Sequence, residues 1–318
     1  MKIFFYILFV IISHSWADQV HIEDSNTTFI DDTHKNISDK IVDYSNIADN
    51  FLYNILYTDD NPFDVFYKTN TFIDATSKSF VSFKFSYNFQ SLYTENFSFY
   101  ANARIPLSRT QKRFNLFIEG VDEDNIKTLI DPTQESTPPD IGLNYFVPKF
   151  FYITSKYSIG MNGIKVFARA RYHMEFKTNY ITIQPVQKFE LSTTDQFRES
   201  SLLYFDSNKL EDALLRLVLY RRTGSTLTGM DYGTVLSYFK KINDKTAINI
   251  SQSLSGNSKY PIPNKGIYNY TTSFNFRRNF LKKWLFYELV PSVNYHVEND
   301  YHPNYSFRTS LEFYFGNF

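Results

Sequence analysis

Cysteine is missing from all 318 residues, which excludes disulfide frameworks, thiolate zinc sites and cysteine nucleophiles together. An excess of either charge is missing too: 33 basic side chains meet 33 acidic ones. A nucleic-acid binder needs a basic surplus to neutralise phosphates, so that class is set aside. Glycine is scarce, with 10 residues. Gly224-Ser225-Thr226 and Ser255-Gly256-Asn257-Ser258 are loop composition and not phosphate cradles, because no helix is expected after them. Beyond Ala17 no window approaches the ~18 uninterrupted apolar residues of a membrane-spanning helix. What is abundant is Phe, at 33, and Tyr, at 25, too apolar a load for a disordered chain.

The first residues read as a secretory signal peptide, 1–17. Lys2 supplies the positive start, Ile3 to Ile12 an apolar run too short to span a bilayer, and Ser15-Trp16-Ala17 places small residues three and one before a cleavage point ahead of Asp18. An exported mature chain follows. Residues 18–78 are rich in Asp and Asn and form an N-terminal segment of their own. Within it Ser38 is placed to cap a helix over 38–57, whose Ile41, Tyr44, Ala48, Phe51 and Ile55 share one apolar face. Such a face could plug a barrel, lie on a membrane interface or bind a periplasmic partner. Residues 59–77 read as a linker.

From residue 79 the hydrophobic period changes from 3.6 to 2. Val81, Phe83, Phe85, Tyr87 and Phe89 alternate with Ser82, Lys84, Ser86 and Asn88. The same alternation runs through 164–177, 268–277 and 305–315. Runs of ten residues exceed the usual five or six of a globular strand and match a tilted bilayer-crossing strand. Two architectures fit. A soluble sandwich buries the aromatic face, whereas a transmembrane barrel turns it to lipid and lines its lumen with the polar face. Three features favour the barrel: the export signal, aromatics near strand ends (Tyr152, Tyr180, Trp284, Tyr295, Tyr305), and a final strand carrying Phe313, Phe315 and Phe318.

The expected fold is therefore all-β, a transmembrane antiparallel barrel over 79–318 of about 14 strands, with 12 or 16 as alternatives, and a short periplasmic N-terminal helix. The strands fall near 79–90, 95–106, 112–121, 139–147, 152–162, 164–176, 179–193, 196–207, 210–222, 226–241, 244–254, 266–279, 283–297 and 302–316. With the N-terminus periplasmic, the short connections face the periplasm, and the longest, 122–138 and 255–265, face outward. Asn162-Gly163 signals a tight outer hairpin.

The alternate positions Phe307, Thr309, Leu311, Phe313 and Phe315 resemble the closing strand of Gram-negative outer-membrane proteins, with Gly316-Asn317-Phe318 overhanging. The segment from Lys283-Trp284-Leu285 to Phe315-Gly316, and the pairing of an acidic helical stretch with a long barrel, are similar to uncharacterised proteobacterial outer-membrane β-barrel proteins, porin-like in type. That resemblance implies location in the outer membrane, contact with its lipids, and recognition by the barrel assembly machinery. It brings no defined activity.

If lipid meets the aromatic face, the inward cations include Lys84, Arg104, Lys156, Lys165, Arg169, Arg171, Arg216, Arg222, Arg277 and Arg308. Glu119, Glu175, Glu190, Glu288 and Glu312 are the inward anions. Such a lining could set a field that orients small polar solutes in a pore, or its charges could pair across the lumen and fill it. Arg169, Arg171, Arg216, Arg308, Glu288 and Glu312 are the expected selectivity lining. Catalysis has weaker candidates: His296, Asp300 and His302 at the outer rim could activate water in a lipid- or peptide-cleaving hydrolase, or read as a solvated loop. His173 has no serine motif tied to it. A filled structural or assembly barrel, its helix recruiting a partner, is the third reading. None of the three calls for a cofactor, although two histidines with two acids at the rim could also hold a metal.

Overall fold

The computed structural model of the chain describes residues 29–56, 80–106, 114–119, 139–207, 210, 213–243, 245–259, 266–280, 282 and 284–316. The expected signal peptide, the linker and the outer loop at 122–138 lie outside the described residues.

Helix α1 (Phe29–Leu56) has 28 residues, roughly 42 Å of rise. It begins nine residues before the expected start, which corrects the reading of Ser38 as its N-cap. Asp31 and Asp32 lie in the first turn, where carboxylates stabilise the positive end of the helix dipole, and Ser38 is accommodated in the interior. Tyr44 and Ile47 of this helix are exposed. No helix among the described residues is long and apolar enough to cross a membrane.

The remaining elements are strands: β1 (Phe80–Gln90), β2 (Asn96–Pro106), β3 (Phe114–Glu119), β4 (Asp140–Phe150), β5 (Ile153–Asn162), β6 (Lys165–Met174), β7 (Phe176–Lys177), β8 (Ile181–Ser192), β9 (Gln196–Ser207), β10 (Ala213–Gly224), β11 (Asp231–Asn243), β12 (Thr246–Asn257), β13 (Ile267–Asn279), β14 (Leu285–His296) and β15 (Pro303–Gly316). Each pairs antiparallel with its neighbours, β1 pairs with β15, and β6 pairs with β8, so the sheet closes on itself. β7 continues β6 past Glu175 and pairs with the same β8, so the wall is a closed antiparallel barrel of 14 strands.

The strands lie where the alternation put them to within a few residues, and two of the differences have a local cause. β4 runs on to Phe150, because a register irregularity between Val147 and Phe150 absorbs Pro148. β11 starts at Asp231 and not near 226, because residues 225–229 turn and Gly229 adopts φ 79°. The Asn162-Gly163 hairpin is present, with Gly163 at φ 58°.

The two faces differ in chemistry. On β1, Ser82, Ser86 and Asn88 are buried while Phe85 is 40% exposed. On β12, Ser251, Ser253 and Ser255 are buried and Ile250 is exposed. On β6, Arg169 is buried and Val166 exposed. Polar side chains therefore line the interior and apolar ones form the outer belt, the reverse of a soluble sandwich and the arrangement of a membrane-spanning barrel. Aromatic pairs knit this belt across strands, as in Phe85 with Phe99 (centroids 5.0 Å) and Phe189 with Phe197 (6.3 Å).

Exceptions occur on both faces. An apolar patch faces inward: Val186, Leu202, Val218 and Val235, with Tyr204 and Tyr220 packed against them. A polar group faces outward, where Arg221 Nη2 donates to Glu199 Oε1 (2.8 Å), Gln187 Nε2 to the same oxygen (3.0 Å), and Ser201 Oγ to Gln187 (2.6 Å). These outward groups satisfy one another, as polar groups beside hydrocarbon must.

Candidate functional site

The interior is built row by row, because register partners on adjacent strands share a face. We call upper the barrel end that carries the Asn162-Gly163 turn. There Glu190 of β8 is the hub. Its Oε2 accepts from Arg169 Nε (3.0 Å) and Nη2 (2.9 Å), and its Oε1 lies 2.7 Å from Lys165 Nζ and 3.8 Å from Arg198. Arg169 Nη2 also donates to Asp140 Oδ2 (2.8 Å). Asp195, in the β8–β9 turn, accepts from Lys165 (2.7 Å) and Arg198 (2.9 Å). Three acids and three bases thus form one closed network. The Lys165 hydrogen bond holds the Asp195 carboxyl below its usual range, outweighing the opposing effect of burial, and the Arg198 charge adds to it.

Beside the network, Phe167 lies over glycine. Gly160 and Gly142 are register partners, and a methyl group on Gly160 would sit 2.5 Å from the Ile141 carbonyl oxygen and 2.8 Å from the Phe167 ring. The Arg169 guanidinium stacks 4.5 Å above that ring. Glycine here makes room for the aromatic that positions the arginine.

At the lower end, Glu288 accepts from Lys84 Nζ (2.5 Å) and from Arg277, which also reaches Glu312 (2.8 Å). Arg216 forks onto both oxygens of Asp206 (2.6 and 2.7 Å). Higher on the same strand, Arg222 holds Asp231 (2.5 Å).

Register places the residues named next on the buried, polar face of the wall. Lys84, Glu288 and Glu312 join the lower network, Arg169 the upper one, and Arg216 its pair with Asp206. Arg104 lies near the Phe80 ring (5.9 Å). Arg308 faces Asn88 in register, and its buried Nε has no hydrogen-bond partner among the described residues. Lys156 and Arg171 are direct register partners at mid-wall. Asp140, Lys188, Arg198 and Asp206 were not singled out from the sequence. Lys188 and Glu190 are two apart on one strand, so parity would have found Lys188.

The turn that follows β14 engages the His296 ring and the His302 backbone. His296 Nδ1 accepts from the Glu298 N–H (3.2 Å), the Asp300 N–H bonds the Val297 carbonyl (2.9 Å), and the His302 N–H bonds the Asn299 carbonyl (2.8 Å). Among the described residues no group of three His, Cys, Asp or Glu is placed to hold a metal.

No family model and no curated protein matches the chain. Solved structures of porin-like outer-membrane barrels are similar to it. OccK5 (OpdH) of Pseudomonas aeruginosa matches at 7% identity and TM-score 0.45, over 75% of this chain and 97% of that one. OmpT, an outer membrane protein of Vibrio cholerae, matches at 8% and 0.43, over 75% and 97%. A KdgM porin in complex with disordered oligogalacturonate matches at 8% and 0.36, over 73% and 98%. The fold itself rests on the closure and register of this barrel.

Proposed function

We propose that this chain is an outer-membrane channel for small polar solutes, exported through a cleaved signal peptide and performing no covalent chemistry. One observation carries the reading. The inward ion pairs described above join strands at most two places apart along the wall, as in Arg169 with Asp140 or Lys84 with Glu288. Charges that clasp neighbours along a wall fix the lining without bridging the lumen, and a fixed mixed-charge lining is what sorts solutes in a pore. The apolar belt supplies the complementary condition, a surface suited to outer-membrane lipid.

The test is conductance. The full mature chain, shown folded by heat-modifiable migration on a gel, is inserted into planar lipid bilayers. Stepwise ion currents are expected. A folded, inserted barrel that passes no current overturns the channel and leaves a structural barrel, with residues 38–57 as the surface for a periplasmic partner.

A further inference from the structure

Directly below the upper network, one inward row carries like charges side by side. Lys156 of β5 faces Arg171 of β6, and Arg171 faces Lys188 of β8, each pair opposite in register. The row ends on Phe146 at one side and Ser200 at the other, so it holds three cations and no carboxylate. Like charges directly opposite destabilise a ladder, and this fold places two such pairs in succession. The next carboxylate up the wall, Glu190, is bonded by Lys165 and Arg169 and also feels the charge of Lys188, which leaves Lys156 as the cation of the row with no anion at hand among the described residues.

A second observation bears on the same place. Lys156 is 9% exposed, and it makes no hydrogen bond or ion pair among the described residues. A buried ammonium is stabilised by a compensating anion. An arginine between two lysines offers a planar fork of donors flanked by two point charges, a set that suits an oxyanion with more than one negative charge.

We propose that Lys156, Arg171 and Lys188 form a binding site for a small multivalent oxyanion, phosphate or polycarboxylate in type, on the inner wall of the barrel. The site rests on the channel reading for access to its solute. It deepens that reading from polar solutes in general to anions in particular.

The experiment has two arms on the full mature chain. In detergent, pyrophosphate and citrate are titrated calorimetrically at constant ionic strength, with chloride as reference. In planar bilayers, the reversal potential is read across a potassium chloride gradient. The variants are K156Q/K188Q and the control K245Q in a turn, each first shown to be heat-modifiable. Saturable binding of pyrophosphate or citrate is expected, weakened at least tenfold in K156Q/K188Q and unchanged in K245Q, with the reversal potential moving toward cation preference. The anion that binds names the headgroup. Equal binding by wild type and the double variant, or no binding of either anion, overturns the site even if current flows. Binding lost in the double variant, in a barrel that passes no current, upholds the site and overturns the channel instead.

Discussion

Arg169 on β6 and Glu190 on β8 stand opposite each other in register, and two guanidinium donors of the first converge on a single carboxylate oxygen of the second. Glu190 is 4% exposed, and Lys165 lies against its other oxygen. Replacing it by glutamine leaves buried cations around a neutral amide. The expected loss is about 3–5 kcal/mol, the usual cost of breaking a buried pair from one side. Urea unfolding of the barrel in liposomes measures it, and a change within about 1 kcal/mol would show the network to be dispensable.

Asp195 makes the same corner sensitive to acid. Its carboxyl is held below the ordinary aspartate value, about 3.9, first by the Lys165 hydrogen bond. Its contribution is therefore full at neutral pH and fades as pH falls below that value through the lowered folded one. Asp195→Asn is expected to lower the melting temperature in detergent at pH 7 and to narrow the gap to wild type as pH approaches 3. A gap constant across that range contradicts the assignment.

Leu236 and Ser237 are neighbours at the middle of β11 on opposite faces, the first exposed and the second buried. An arginine at 236 meets hydrocarbon and is expected to cost about 2–4 kcal/mol. An arginine at 237 enters the interior and is expected to cost less and to alter conductance. Equal penalties in lipid would mean that the faces have been assigned wrongly.

Gly160→Val sets its side chain against both the Ile141 carbonyl oxygen and the Phe167 ring, and of the two the ring is the one free to move. The ring is expected to move, carrying with it the guanidinium stacked upon it. A fall in stability should follow, and Phe167→Ala added to Gly160→Val should cost less than the sum of the two single changes. Simple addition would show that ring and glycine act independently.

Strand positions were legible from the sequence because the side-chain period of a strand is two, and a one-residue error moves every side chain to the wrong face. Lys84, Arg169 and Glu288 could be placed inward on that ground alone. Pairings could not: which carboxylate serves Arg169 depends on register across β4, β5, β6 and β8, and Asp140 enters only through that register. The row of Lys156, Arg171 and Lys188 is likewise invisible along the chain, since 32 positions separate its ends. The start of α1 was misread because a serine beside an apolar stripe is a good capping signal, yet the aspartates at 31 and 32 suit the true first turn.

β1 and β15 meet over a continuous ladder from Phe80 opposite Gly316 to Gln90 opposite Ser306. A sheet sealed by its two most distant strands has no partial version. Until that zipper forms, two raw edges stand open, and each added hairpin only relocates them. Maturation of such a wall is consequently a single late event, and cutting within 303–316 should yield no thirteen-stranded remnant but an unsealed ribbon that proteases clear.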